Sequence, residues 1–335
     1  MMSLSWKLLT ADAPWLPRDS AGCHAFKGKL FIEGGWRDSL KPTLRDVWSS
    51  EDGRTWKPMT RTAPWVHADF ATTNVALAGR MLRMGGWTAG RLPNASSTSA
   101  VWASHDGASW KHLVDAPWSS REGAAAVVLG PKVFLLGGAT YYYYPPKANA
   151  TQLLNDVWAS RDGVSWECVS SHAPWAPRAY HGAVSFQGRI FLMGGGNWQS
   201  DGGGATGRPT RGYFVLNDVW SSADGANWRL VAAAPWAPRM WFGAVVHRER
   251  IWMLGGWAMP TAFNTTVGGH PNFNMNDVWS SADGAVWERD ADAAWNQRHA
   301  PCVVAAADGI WVLSGNNWNY TRDPHGTVNE VWVAQ

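Results

Sequence analysis

Short runs of apolar residues recur along the chain between turn signals, and this pattern predicts many β-strands. One repeat shows four such segments: HGAVSF, RIFLMGG, NDVWSS and a short segment that ends near the next A-P-W. A D-G dipeptide lies between the third and fourth segments and is a strong hairpin signal. Helical periodicity is absent, so the predicted fold is all-β.

Tryptophan motifs mark the repeats. The Trp of NDVW-like segments recurs at intervals of 54, 56, 62, 59 and 53 residues, at Trp48, Trp102, Trp158, Trp220, Trp279 and Trp332. Five of these segments are followed by S-x-D-G-x-x-W, while the sixth stops at Gln335, and the matching Ser5-Trp6-Lys7 stands at the other end. We therefore predict that residues 3 to 9 form the outermost strand of a blade whose inner strands come from 299 to 334.

Two further motifs repeat six times. A-P-W supplies Trp15, Trp65, Trp118, Trp175, Trp236 and Trp295, with Ala294 in place of Pro in the last copy, and Gly-Gly follows each apolar run, with Ser314-Gly315 as its degenerate copy. Four antiparallel strands repeated six times around an axis make a β-propeller, which protects its sheet edges by radial repetition. The period is at the long end of that of kelch repeats.

The order R-x-x-H, apolar run, GG, variable loop, NDVW, W resembles that of kelch repeats, as in the galactose oxidase central-domain superfamily. The resemblance covers nearly the whole chain and implies one six-bladed kelch-type β-propeller over 1–335. The repeats are placed at 11–60, 61–115, 116–171, 172–232, 233–291 and 292–335 plus 3–9. The S-x-D-G pieces resemble shortened sialidase Asp boxes, and we expect their Asp residues to be turn residues.

Composition narrows the class of protein. The chain has 26 Trp and a formal net charge of +3, with its basic residues scattered, so no nucleic-acid stripe or polybasic membrane patch is predicted. No apolar stretch is long enough to cross a bilayer, and a soluble monomer is expected. Cys23, Cys168 and Cys302 lack metal or redox spacing and are interpreted as small buried hydrophobes in a reducing compartment.

Arginine recurs three residues after the Trp of A-P-W, and Ala68 is the exception. The five are Arg18, Arg121, Arg178, Arg239 and Arg298. In kelch propellers the loops into the first strand and out of the second share one face, called here the mouth, which carries most known binding sites. The guanidinium groups either bond neighbouring backbone carbonyls as part of the scaffold, or capture a carboxylate, phosphate or acidic peptide.

The residues after these arginines break the repeat symmetry. Asp19, Asp69 and Glu122 follow in the first three repeats, and Ala179, Met240 and His299 in the last three, so an acidic half and an apolar half of the mouth are predicted. Aromatic candidates for ligand stacking are Tyr180, His181, Trp241 and Phe242, the run Tyr141 to Tyr144, and the Trp residues after GG, Trp36, Trp87, Trp198, Trp257 and Trp318.

Two charges stand at positions that are apolar in the other repeats. Glu33 lies directly before Gly34, and Arg83 lies one position earlier in the second repeat. An unpaired buried charge is costly, so we expect the two to meet across the interface of the first two blades. The alternative is that Glu33 is a perturbed catalytic carboxylate.

The sequence leaves two classes of function open. The first is a non-catalytic module that binds a protein segment or a glycan, acidic ones included, at the mouth. The second is a sugar-modifying enzyme of the mutarotase or epimerase kind, in which Glu33, Asp19 or Asp69 would act with an arginine. A copper radical oxidase is favoured less: Arg178-Ala179-Tyr180-His181 resembles galactose oxidase, but its thioether Cys and Tyr find no counterpart.

No cofactor and no metal are predicted, and the expected partner is a protein or carbohydrate ligand. A cytoplasmic location is expected. Four N-x-S/T sequons in the loops after GG, at Asn94, Asn149, Asn264 and Asn319, leave secretion open.

Overall fold

The computed structural model describes residues 4–37, 44–65, 70–87, 97–140, 152–197, 214–258, 266–267, 270–271, 273–306, 309–317 and 326–335. Within these ranges the chain forms strands β1 to β29 and no helix. The strands form six antiparallel sheets, the blades of a six-bladed β-propeller, as the sequence predicts.

The first three blades are regular four-stranded sheets. Blade 1 contains β2 (Gly22–Phe26), β3 (Lys29–Glu33), β4 (Val47–Ser50) and β5 (Lys57–Thr60). Blade 2 contains β6 (Thr73–Leu77), β7 (Arg80–Met84), β8 (Ala100–Ser104) and β9 (Trp110–Asp115). Blade 3 contains β10 (Ala125–Leu129), β11 (Lys132–Thr140), β12 (Gln152–Ser160) and β13 (Trp166–Ser170).

The other three blades complete the ring, and two of them carry additions. Blade 4 contains β14 (Gly182–Phe186), β15 (Arg189–Met193), β18 (Asp218–Ser222) and β19 (Trp228–Ala233), with the short ribbon β16 (Gly196–Asn197) and β17 (Phe214–Val215). Blade 5 contains β20 (Arg239–Met240), β21 (Gly243–His247), β22 (Arg250–Ala258), β25 (Asn274–Ser281) and β26 (Glu288–Arg289), with the ribbon β23 (Thr266–Val267) and β24 (His270–Pro271). Blade 6 contains β27 (Cys302–Ala306), β28 (Gly309–Leu313), β29 (Val331–Ala334) and β1 (Trp6–Thr10).

Blade 6 is built from both ends of the chain. Strand β1 pairs antiparallel with β29, with Trp6 opposite Ala334 and Lys7 opposite Val333. The predicted closure is therefore confirmed, and the ring of blades closes through main-chain hydrogen bonds between the two ends of the sequence.

Paired tryptophans form the core between blades. The six A-P-W tryptophans are among the largest fully buried side chains. Each packs edge-to-face or nearly so against a tryptophan at the outer strand, with ring centroids 4.4 Å apart for Trp15 and Trp56 and 5.8 Å apart for Trp295 and Trp6. Trp6 thus supplies the sixth copy of the packing that the other five blades obtain from S-x-D-G-x-x-W.

The S-x-D-G segments are turns, as predicted. In blade 1 the Asp52 carboxylate accepts hydrogen bonds from the amides of Arg54 and Thr55, and the Ser50 hydroxyl accepts one from Gly53. These backbone bonds to Thr55 and Arg54 hold the pKa of Asp52 below its ordinary value. The same pattern in the other blades makes these Asp residues structural.

The cysteines differ from the expectation that all three are buried. Cys302 is buried and Cys23 is half-buried, whereas Cys168 on β13 is exposed. Strand β13 is the outer strand of blade 3, and both Glu167 and Cys168 on it are exposed, next to an irregularity in its pairing with β12. No helix in the described ranges is long and apolar enough to cross a membrane.

The closure gives a stability prediction. Replacing Trp6 with alanine should lower the free energy of unfolding by about 3 kcal/mol, since the partner ring of Trp295 loses its edge contact. Leu8 on the same strand is 40% exposed, so Leu8→Ala is the matched control and should change little. Urea unfolding followed by tryptophan fluorescence measures both, and equal effects of the two substitutions would contradict a closing role for Trp6.

Candidate functional site

The five arginines that follow A-P-W are buried and ion-paired. Arg121 donates two hydrogen bonds to Asp156, at 2.7 and 2.8 Å, and others to the carbonyl oxygens of Gly137 and Ser119. The carboxylate partners in blade order are Asp46 for Arg18, Asp156 for Arg121, Asp218 for Arg178, Asp277 for Arg239 and Glu330 for Arg298. Each carboxylate also accepts a bond from the Trp of the NDVW-like segment.

Each of these arginines joins two blades, and we call it an arginine staple. The main chain of Arg121 is hydrogen-bonded to Thr98 and Gly86 of blade 2, while its guanidinium is bonded inside blade 3. All three guanidinium nitrogens of Arg18, Nε, Nη1 and Nη2, donate hydrogen bonds. This geometry favours the scaffold interpretation of the arginines over ligand capture. Backbone carbonyl partners were expected, and the structure adds a carboxylate partner in the blade that contains the guanidinium group.

Blade 2 lacks the staple and carries a substitute. The strand register places Ala100 where the other blades have the carboxylate. Here the Arg83 guanidinium lies 4.2 Å from the ring of Trp65, as Arg121 lies 5.5 Å from that of Trp118. Its Nε is 3.2 Å from Glu33 Oε1 of blade 1, which confirms the expected ion pair across the first two blades.

Glu33 is part of a buried polar cluster with Arg83, Asn74 and His24. Asn74 donates a hydrogen bond to its carboxylate, and His24 Nε2 lies 3.8 Å away. Burial by itself would raise the pKa of Glu33, but the nearby His24 ring, the charge of Arg83 and the hydrogen bond from Asn74 together hold it below its ordinary value. Glu33 is therefore an ionised structural carboxylate in this structure, and its geometry favours the first of the two interpretations.

A closed ring of main-chain hydrogen bonds lies at the mouth, and we call it the collar. It contains one residue per blade, each two positions before the innermost strand: Ser20, Ala71, Gly123, Tyr180, Trp241 and Ala300. Every collar amide donates to the carbonyl oxygen of the collar residue in the preceding blade, from Ala71 to Ser20 onward, and Ser20 donates to Ala300, over distances of 2.7 to 3.1 Å. The collar thus links all six blades around the axis.

The collar imposes a left-handed backbone at all six positions. The φ angles lie between 49° and 59°, and only Gly123 adopts such a value without steric cost. For the other five the cost is about 1–2 kcal/mol each. Because the backbone is fixed by the ring of bonds, the side chain is the feature that differs from blade to blade.

Below the collar the six innermost strands surround the axis. They enclose a cavity of about 300 Å³ that is lined by valine and alanine side chains from five blades together with Ser185. An apolar channel offers little for recognition of a polar ligand. Among the described residues, the chemistry of the mouth therefore resides mainly in the collar side chains and in the residues directly before them.

The residues before the collar differ in part from the sequence alignment. Asp19 bridges to Trp36 and Glu122 to Ala139, and in blade 2 the equivalent bridge joins Phe70 to Trp87. Phe70 rather than Asp69 holds this position, because the segment after Trp65 is one residue longer than in blade 1. Asp69 itself lies outside the described residues. The expected acidic half consequently keeps two described carboxyls, not three.

These two carboxyls are buried and have raised pKa values. Burial raises the pKa of Asp19 to about 6, against hydrogen bonds from Asn316 and Ser20, and that of Glu122 to about 8, which the nearby Tyr180 offsets only in part. Glu122 is thus mainly protonated at neutral pH, whereas Asp19 is mainly ionised.

The histidines at the mouth are neutral. Burial lowers the pKa of both His181 and His299 to about 3, with the charge of Arg178 adding to the effect on His181. His299 shares a hydrogen bond of 2.7 Å with Asn274, whose amide donates to the carbonyl oxygen of Asn316.

Aromatic side chains form two clusters at the mouth. The first, the Tyr180–Trp241 platform, has ring centroids 4.9 Å apart and continues through Trp241 to His299 at 5.3 Å. The ring of Tyr180 lies against Gly123, where a Cβ atom would come within 2.8 Å of it. Both platform side chains are half-buried and so present part of their rings to solvent.

The second cluster contains Phe70 and Trp87, with half-buried Trp36 against them. Trp87 and Trp257 are buried at 2% and 6% exposure, and Phe242 packs into the core beside Trp236. Trp36, Tyr180, Trp241 and Phe242 are thus the half-buried members of the predicted aromatic set among the described residues, and Phe242 packs against Trp236. Trp198, Trp318 and Tyr141 to Tyr144 lie outside the described residues.

The described part of the mouth offers no cluster of metal ligands. Among the described residues, no group of three or more His, Cys, Asp or Glu side chains could hold a metal ion. His181, the residue that resembles a copper ligand of galactose oxidase, packs against Trp175 with ring centroids 6.3 Å apart.

Comparison with known proteins agrees with the fold. No protein-family model matches the chain, and no curated protein sequence matches it. Among solved structures the fold is similar to that of YjhT, with a TM-score of 0.70 over 98% of this chain and 99% of that chain, at 12% sequence identity. At this identity the likeness shows the fold alone: the chain is a six-bladed β-propeller.

The raised pKa of Glu122 predicts a pH-dependent stability. The pKa of Glu122 in the folded protein, about 8, exceeds its ordinary value of 4.5, so folding favours the protonated carboxyl. The contribution of Glu122 to the free energy of unfolding is therefore fully present below pH 4.5 and is lost as the pH rises through 8. Glu122→Gln should match the parent protein at pH 5 and exceed its free energy of unfolding by up to roughly 4 kcal/mol at pH 9.

Glu167→Gln, at an exposed position of the same blade, is the control. It should follow the pH dependence of the parent protein in urea unfolding at pH 5, 7 and 9. Parallel curves for all three proteins would contradict a protonated Glu122.

Proposed function

We propose that this propeller is a binding module that recognises a glycan at the mouth, through the Tyr180–Trp241 platform. The observation that supports the proposal is a pair of half-open aromatic rings, 4.9 Å apart, on a backbone that the collar holds fixed. Rigid aromatic rings provide contact area at little cost in conformational entropy, and sugar rings stack on such surfaces.

The charge distribution favours a neutral ligand. The guanidinium groups of the five arginine staples are bonded to carboxylates, and burial keeps His181 and His299 neutral. An acidic ligand would need guanidinium groups that are already engaged.

A second candidate is a sugar-modifying enzyme, and the raised pKa of Asp19 favours it. A carboxyl with a pKa of about 6 can accept and return a proton near neutral pH, as opening and closing of a sugar ring requires. Asp19 holds a hydrogen bond of 2.9 Å from Asn316 and is 5% exposed. Anomer exchange of a bound sugar, measured by NMR with the parent protein and Asp19→Asn, separates catalysis from binding.

The binding proposal is tested with Trp241→Ala. Alanine already occupies the collar at Ala71 and Ala300 with the same backbone, so the substitution should leave the collar intact. Loss of the ring contacts with Tyr180, Trp257 and His299 should lower the melting temperature without unfolding the protein at the temperature of the binding assay. Loss of the stacking surface should weaken glycan binding about tenfold. A glycan array identifies the ligand, and titration calorimetry compares the two proteins.

Val286→Ala is the control for position, since Val286 is 67% exposed and lies in an S-x-D-G turn on the opposite face. It should bind as the parent protein does. Equal binding by Trp241→Ala would place the ligand elsewhere, and binding of peptides but no glycan on parallel arrays would assign the mouth to a protein partner instead.

A further inference from the structure

Cys23 and Cys302 lie next to each other at the seam where blade 6 meets blade 1. Cys302 begins the innermost strand β27, and Cys23 is the second residue of the innermost strand β2. The Cys302 thiol donates to the carbonyl oxygen of Ala21 at 3.0 Å, and burial together with the neighbouring Cys23 thiol raises its pKa. Cys23 Sγ in turn lies 4.0 Å from the carbonyl oxygen of Val303.

The repeat symmetry shows how close these two positions are. The first residue of each innermost strand faces the second residue of the next one. A Cβ atom on Gly243 would lie 2.7 Å from Cβ of Val303, and one on Gly182 would lie 2.9 Å from Cβ of Ala244. A disulfide needs Cβ atoms about 3.5–4.5 Å apart. Cys302 and Cys23 are the corresponding pair at the last seam, so their Cβ atoms are as near as packing permits.

Blade 2 provides an independent check of this geometry. Thr73, which matches Cys302, donates a hydrogen bond of 2.8 Å to the carbonyl oxygen of Ala124, which matches Ala21. The contact of Cys302 with Ala21 is therefore the ordinary contact of this position, and it aims the sulfur at the neighbouring strand.

We propose that Cys23 and Cys302 are a redox-active pair that forms a reversible disulfide across the seam of the propeller. The S–S bond forms as both thiols lose their protons and two electrons to an oxidant, which for a peroxide become part of two molecules of water. Cys23 is half-buried, whereas Cys302 is buried, so Cys23 is the thiol of the pair that a small oxidant would reach first.

The disulfide would join blade 6 to blade 1 close to the collar. Ser20 and Ala300 share the collar hydrogen bond of this seam, and the two cysteines follow them by three and two residues. Because the disulfide joins residues far apart in the sequence, it restricts the unfolded chain strongly. Oxidation should therefore make the closed ring harder to open.

The test uses Cys168→Ser, which removes the exposed thiol and leaves the pair intact. Treatment with diamide should abolish both remaining titratable thiols and lower the intact mass by about 2 Da, with a linked peptide containing Cys23 and Cys302. The melting temperature of the oxidised protein should rise by several degrees and return on reduction.

Matched variants come from the other blades. Cys23→Ala copies blade 3, and Cys302→Thr copies blade 2, so both should fold. In the Cys168→Ser background neither should lose mass or gain melting temperature with diamide. The proposal would be overturned if two thiols remained titratable after diamide treatment of native Cys168→Ser, or if the melting temperature did not change on oxidation.

Discussion

The arginine staple is the interaction on which the mouth depends. Its main chain belongs to one blade, and its guanidinium is bonded to the carboxylate of the next, at 2.7 and 2.8 Å in the case of Arg121 and Asp156. A buried charge is costly unless it is paired and its donors are satisfied, and here both conditions hold. Two residues after the staple the chain enters the collar, so the staple fixes where each collar side chain begins.

The collar holds the backbone of the mouth through main-chain bonds and leaves the side chains free to differ between blades. Six main-chain hydrogen bonds hold the backbone without using a side chain. Ser20, Gly123 and Trp241 can therefore occupy equivalent positions. A tryptophan at a collar position carries the same backbone strain as an alanine there. Tyr180 lies against Gly123 because that blade offers no Cβ. Variation of function on a constant frame is the usual property of loops held by a rigid scaffold.

Repetition made the fold predictable from the sequence. The tryptophan motifs defined the blades, and the displaced Trp6 defined the closure. The pairing of Glu33 with Arg83 was also predictable, since two charges at apolar positions need each other. A signal for the staples was present but less direct: repeat 2 lacks the arginine, with Ala68 in its place, and it also lacks the carboxylate, with Ala100 in its place.

Other features could not be predicted for physical reasons. The collar uses main-chain groups, which every residue type possesses, so it leaves no residue pattern. The sequence alignment missed Phe70 because the segment between Trp65 and the collar has one additional residue. The A-P-W motif stays intact, but the residues between it and the collar are shifted by one position. The raised pKa values of Asp19 and Glu122 depend on burial, which the alternation of residues around a turn does not determine.

The scaffold role of the staples is tested most directly by the free energy of unfolding of Arg239→Ala. Arg239 and Asp277 are 1% and 6% exposed, so removal of the arginine leaves a buried carboxylate without its partner. The expected loss is about 3–5 kcal/mol, against almost none for Arg229→Ala, an exposed side chain of blade 4. Full stability in Arg239→Ala, accompanied by a loss of ligand binding, would contradict the scaffold role and make the arginines ligand contacts.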